Sequence, residues 1–139
     1  MAIQTHNWAV GEVVTAANMN TYLRDNLADL DSRKVEAKSG EYTGDGTTSY
    51  AITGVGFQPV YVKIWQQFAS GACNSYETTT TMIDDDATGA AFKHVAGGTH
   101  AIINNAIISL DADGFTVDDG GADLIPNADG AVYNYLAIG

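Results

Sequence analysis

Val60-Tyr-Val-Lys-Ile-Trp-Gln-Gln-Phe68 reads as a strand with two unlike sides. In an extended chain Val60, Val62, Ile64 and Gln66 point one way, and Tyr61, Lys63, Trp65 and Gln67 point the other. One apolar side and one amphipathic side is the pattern of a sheet that rests a single face on a core. Working outward, Ser49-Tyr-Ala-Ile-Thr53 is a shorter strand, and Gly54-Val-Gly-Phe-Gln-Pro59 turns the chain between the two. Further strands are expected over 76–83, 90–95, 101–110, 114–117 and 131–138, separated by Asp and Gly clusters. Short strands at this spacing, with 15 glycines and only two prolines, predict a mainly β fold: an antiparallel β-sandwich or jelly-roll-like domain.

Ahead of this domain the period changes. Thr15 stands where a helix N-cap belongs, since its hydroxyl can accept the unpaired N–H groups of a first turn, and the helix formers Ala16 and Ala17 follow. Met19, Leu23, Leu27 and Leu30 recur at spacings of four, four and three, so they share one side of an α-helix ending near residues 32–34. Met19, Leu23, Asn26 and Leu30 also fit a short coiled-coil seam with Asn26 as its polar register residue. The stripe therefore packs either on its own domain or on another chain. Upstream, Ile3, Trp8, Val10, Val13 and Val14 form a partly alternating apolar arm. Residues 35–48 are rich in small turn formers and read as a junction, with Asp45-Gly46 a hairpin candidate. The expected division is an attachment arm and helix over 1–38 and a β-sandwich over 39–139.

Charge follows the same division. The 139-residue chain carries a formal −11. Residues 1–38 hold five acids and four bases, whereas 39–139 hold twelve acids against Lys63 and Lys93 alone. Nucleic-acid binding is excluded, because it needs a cationic face that displaces counterions from phosphate. The near-neutral end can approach a partner, and the acidic end stays solvated. No apolar run approaches the roughly 18 residues of a membrane span, and the start has no basic region leading into an apolar core. Cys73 is the single cysteine and reads as a small buried hydrophobe.

No catalytic constellation is written in the chain. His6, His94 and His100 are far apart in sequence, and the last two lack the i, i+4 spacing of a helical metal site. Ser70-Gly-Ala-Cys-Asn-Ser75 lacks the strand-turn-helix setting of a nucleophile elbow. Asp111-Ala-Asp-Gly114 opens like a calcium loop, but its glycine is two places early and Ala122 stands where a bidentate Glu is needed. That run, continued to Gly120, and Asp84-Asp-Asp86 read as solvated acidic turns, with an irregular cation site between loops or subunits as the alternative; no metal or cofactor is expected. Trp65, Tyr61, Tyr76, Tyr133 and Tyr135 could form a glycan platform or a subunit contact, although strand aromatics more often fill cores.

The run Trp8-Ala-Val-Gly-Glu-Val-Val-Thr-Ala-Ala-Asn-Met-Asn-Thr-Tyr-Leu-Arg-Asp-Asn-Leu27 resembles a segment near the N-terminus of many tailed-phage virion proteins. The shared parts are an aromatic residue, Gly11-Glu12-Val13, Thr15 to Asn20, and Arg24 to Leu27. Gly114-Phe-Thr-Val117, Asn127 and the ending Tyr133-Asn-Tyr-Leu-Ala-Ile-Gly139 also look like closing strands of phage appendage domains. The resemblance implies a non-enzymatic virion structural protein, a short surface appendage or decoration protein assembled in the host bacterial cytoplasm. Its implied partners are other virion proteins of capsid or tail, with Trp8, Val13, Met19, Leu23, Leu27 and Leu30 as the attachment or oligomer surface. Together with the short seam, the resemblance points to a homo-oligomer, a trimer. The alternative is a tail-fibre tip that recognises a host surface glycan through Trp65, Tyr76, Tyr133 or Tyr135.

Overall fold

The computed structural model describes residues 9–32, 34–67, 74–85, 89–95, 98, 100–118 and 126–139. The chain divides into two compact units, 1–35 and 36–139. The boundary falls earlier than the expected 38/39 because the first strand already begins at Ala37.

In the first unit, Thr15 caps as its sequence predicts: its backbone is extended and its hydroxyl accepts the Asn18 N–H at 3.2 Å. Helix α1 (Ala16–Met19) runs into a π-helical turn (Asn20–Arg24) and continues as α2 (Asp25–Asp31). Within the π turn the Thr21 hydroxyl donates to the Ala17 carbonyl at 3.0 Å, a side-chain bond that competes with the regular backbone ladder. Ser32 closes the run, its N–H bonded to the Ala28 carbonyl and its hydroxyl to that of Asp29.

The second unit is a sandwich of two antiparallel sheets, as the strand periodicity indicates. The larger sheet joins β1 (Ala37–Thr43), β9 (Val132–Ile138), β3 (Tyr61–Gln66), β4 (Ser75–Thr79), β5 (Ala90–His94) and β6 (His100–Asn104), in that order. The smaller joins β2 (Tyr50–Thr53), β8 (Gly114–Val117) and β7 (Ile107–Asp111). Nine described strands split six and three distinguish it from an eight-stranded jelly roll.

Strand parity builds the core. Val62 and Ile64 of β3, Tyr76 of β4, Ala91 of β5, and Tyr133, Tyr135 and Ala137 of β9 are all buried toward Ile52, Ile107, Leu110, Phe115 and Val117 of the smaller sheet. Phe115 joins the layers, meeting Tyr135 edge-on at 5.2 Å and Tyr42 at 6.5 Å between ring centroids, while Tyr42 stacks on Tyr133 at 5.2 Å. Burial raises the phenol pKa of Tyr42, Tyr76 and Tyr133. Gly40 faces Tyr135 across the β1–β9 pair, and a Cβ there would collide with the ring. The glycine lets the tyrosine lie over the edge strand.

Four local expectations are corrected. The expected junction contains β1, whose only buried side chain is Tyr42, so apolar alternation could not mark it. Asp45-Gly46 forms a turn but no hairpin: Asp45 Oδ1 accepts the Thr47 N–H at 2.9 Å, yet β1 pairs with β9 and β2 with β8. The strand expected over 76–83 stops at Thr79, whose hydroxyl accepts the Met82 N–H at 3.3 Å and opens a second helix, α3 (Thr80–Asp85). The strand expected over 101–110 breaks at Asn105, which has φ 59° and carries the chain from the larger sheet to the smaller.

Candidate functional site

Two surfaces hold the residues singled out by the sequence. On the helical run, Met19, Leu23, Leu27 and Leu30 are 42%, 55%, 64% and 54% exposed, and Val10, Val13 and Val14 are exposed as well. The α-helical spacing that aligns them is interrupted only by the π turn, whose i→i+5 bonding accommodates the four-residue step from Met19 to Leu23. Four large apolar side chains thus share one exposed side of the helical run. Trp8 lies outside the described residues.

The second surface is the outward face of the larger sheet. Register sets Lys63, Glu77, Phe92 and Ile102 side by side in one cross-strand row, and Trp65, Ser75, His94 and His100 in the next. Glu77 is the hub. Its Oε2 accepts the Tyr61 hydroxyl at 2.6 Å, its Oε1 lies 2.8 Å from His94 Nε2, and Lys63 Nζ stands at 3.9 Å. The Tyr61 and His94 bonds, helped by the Lys63 charge, hold the Glu77 carboxyl below its usual range. Burial, reinforced by Glu77, pushes the Tyr61 phenol up to about 12. His94 and His100 face each other across the β5–β6 hairpin, rings edge-to-face at 4.9 Å, and Phe92 packs on both.

Beside this cluster Tyr61, Glu77, Thr79, Met82, Phe92 and Ile102 line an open groove of about 560 Å³. A carboxylate held ionised, with both oxygens engaged, is a poor proton donor or acceptor near neutral pH. The arrangement suits contact and orientation. No group of three His, Cys, Asp or Glu side chains among the described residues could hold a metal ion.

Pairing brings together what sequence distance separates: His94 and His100 become neighbours because a hairpin puts them opposite each other, and Glu77 is adjacent through β4. The signal was available as parity, since Tyr61, Trp65, Glu77 and Phe92 fall on the side that the core residues leave free. The expected aromatic platform is largely corrected. Tyr76, Tyr133 and Tyr135 are buried in the sandwich, on the same side of their strands as Ile64 and Ala137, so they offer no face to a glycan; of the five candidates, Tyr61 and Trp65 stay part-exposed on the outer side. Cys73 and the loop over 70–73 lie outside the described residues, as do His6 and Asp86. Asp113 lies in an exposed turn, as expected, and also clamps a loop: its two oxygens accept the N–H groups of Gly54 at 3.1 Å and Gly56 at 2.7 Å. No helix of the described residues is long and apolar enough to cross a membrane. Compared with known proteins, the chain matches no family model, no curated protein and no solved structure.

Proposed function

We propose that this protein is a non-enzymatic structural component of a tailed-phage particle, anchored by its N-terminal arm and helix with the acidic sandwich facing solvent. The observation that carries the reading is the exposed strip of Met19, Leu23, Leu27 and Leu30 on a properly capped helix, within the segment that resembles phage virion proteins. Burying each leucine against another chain contributes roughly 1.5–3 kcal/mol, enough in sum to hold a helix on a partner or in a trimer. Leu23→Asp with Leu27→Asp would place carboxylates in that contact at a cost of several kcal/mol. Light scattering after size exclusion of dilute protein, where a weak sheet-edge pairing is not populated, is expected to show the mass falling to one chain, with the β-type circular dichroism spectrum kept. An unchanged mass would remove the association role. Loading of the same variant onto particles lacking the native protein then tests attachment, and imaging such particles distinguishes capsid decoration from a tail position.

A second reading, a receptor-binding tip for a host surface glycan, draws on the groove beside Tyr61, Glu77 and Phe92, where aromatic rings adjoin an ionised carboxylate. Calorimetric titration with host surface polysaccharide tests it. Heat lost in Phe92→Ala, at an unchanged melting temperature, supports this reading; no heat with the native protein ends it.

A further inference from the structure

The four outer strands of the two sheets are not protected alike. Natural sheets guard an edge with charge, proline, a bulge or a very short strand, because a free row of N–H and C=O groups recruits another strand. β1 carries Lys38 and Glu41, β2 has only four residues, and β7 contains a register shift between Ile107 and Ser109 and ends on Asp111. β6 has none of these devices. Its sequence, His100-Ala-Ile-Ile-Asn104, holds no charged residue and no proline, and its pairing with β5 is continuous from His100 to Asn104. It is also open: His100, Ala101, Ile102 and Asn104 are exposed, Ile102 at 67%.

We infer that β6 is a docking edge for β6 of a second copy of this chain, joined antiparallel about a twofold axis through Ile102 so that the two six-stranded sheets become continuous. The occupant follows from the strand's own pattern. A twofold contact pairs residue i with j and j with i, so it demands a sequence whose polarity reads the same in both directions. β6 meets that demand: centred on Ile102, its order is polar, apolar, apolar, apolar, polar. Ile102 then faces Ile102 of the other copy, Ala101 faces Ile103, and His100 faces Asn104, with no charge in any pair. Ile103, which already packs against the core, meets Ala101 of the other copy on the inner side, and the two Ile102 side chains meet on the outer side beside Phe92. Charge argues the same way. In a chain of formal −11, copies repel wherever acids face, and β6 is an uncharged edge where they can close.

The joint is small beside the ~1,200 Å² of a standard stable interface, so its population rises with protein concentration. It is independent of the helix strip and of the phage reading. The test uses the full chain in a Cys73→Ser background. Opposed residues of an antiparallel pair have Cα atoms about 4.5–5.5 Å apart, within disulfide reach, so Ile102→Cys is expected to yield a covalent dimer on mild oxidation. Asn104→Cys is the control. In this register the two copies of position 104 are four residue steps apart, roughly 13 Å, beyond disulfide reach. Expected is at least tenfold faster dimer formation at 102 than at 104, retained when Leu23→Asp and Leu27→Asp are added. Equal rates at the two positions, no dimer at 102, or loss of the 102 dimer on adding the helix substitutions would each overturn the inference.

Discussion

Asn127 shows what one side chain can fix. It is fully buried; its Oδ1 accepts the Asp45 N–H at 3.1 Å, and its Nδ2 donates to Asp45 Oδ1 at 2.9 Å and to the Thr47 carbonyl at 2.7 Å. The amide thus ties the stretch before β9 to the turn after β1, where the Tyr42 hydroxyl also donates to the Pro126 carbonyl. Asn127→Ala strands buried polar partners, each costing about 1–3 kcal/mol, so urea unfolding is expected to show a loss of about 2–4 kcal/mol. Asn127→Asp sets a second carboxylate against Asp45, and its deficit should shrink as pH falls and one of the pair takes up a proton. A deficit independent of pH would place the damage elsewhere. Glu77 supplies a second test. Its folded pKa lies below the usual 4.5, so its stabilisation is complete above that value and is lost as pH falls through the folded pKa. For Tyr61, raised from 10.0 to about 12, the contribution is present below 10 and fades as pH climbs toward 12. In calorimetric scans Glu77→Gln should flatten the fall in melting temperature below pH 4.5; a curve parallel to the native one would show that the carboxylate is not coupled to folding. Neither residue was legible as a centre in the sequence, because hydrogen bonding across 82 positions, or across neighbouring strands, leaves no local pattern.

At the scale of elements, legibility tracked burial. The strand β3, the capped helix after Thr15 and the closing strand all declare themselves, because each has either a buried alternating set or a capping residue in place; Phe68, at the end of the first of these expectations, lies outside the described residues. β1 did not, since it is an edge strand with one buried ring and a glycine chosen for clearance over Tyr135. The threonine run before α3 carried a β signal into a helix, where a hydroxyl cap prevailed over β-branched propensity. The exposed helix strip was legible as a pattern, but whether it packs at home or abroad is a tertiary fact that periodicity does not contain. Of the outer-face cluster, the sequence yielded the aromatic Trp65 and Tyr61, and missed the Glu77–His94 link. β9 gives this scale its prediction. It lies between β1 and β3 and buries Tyr133, Tyr135 and Ala137. Its two tyrosines alone, at roughly 1.5–3 kcal/mol for a large side chain, rival much of the net stability of a small domain. Removing residues 133–139 should abolish the cooperative melt and leave β1 and β3 as open edges that aggregate. A soluble protein with the parent melting temperature would contradict the central placement of β9.

For the whole molecule, the decisive property is that residues 36–139 contain both sheets, the aromatic bridge between them and the Asn127 tie, so every feature of the core named above is internal to one unit. Charge is concentrated there too, with twelve acids against two bases over 39–139. A chain starting at Glu36 is therefore expected to fold alone, with a β-type circular dichroism spectrum and a single cooperative transition. For a domain of this size 1 kcal/mol moves the melting temperature by about 4–8 °C, so a difference of less than about 4 °C from the full chain would mean that residues 1–35 contribute under ~1 kcal/mol to the sandwich. Self-repulsion among the acids adds a second readout: raising salt from about 20 to 200 mM screens it and should raise the melting temperature of the isolated unit. The same shortened chain lacks the helix strip, so any mass above one chain that it keeps at high concentration must come from the sandwich itself. A shortened chain that fails to melt cooperatively, or melts more than about 8 °C below the parent, would show that the N-terminal unit is part of the sandwich's folding and not an attachment added to it.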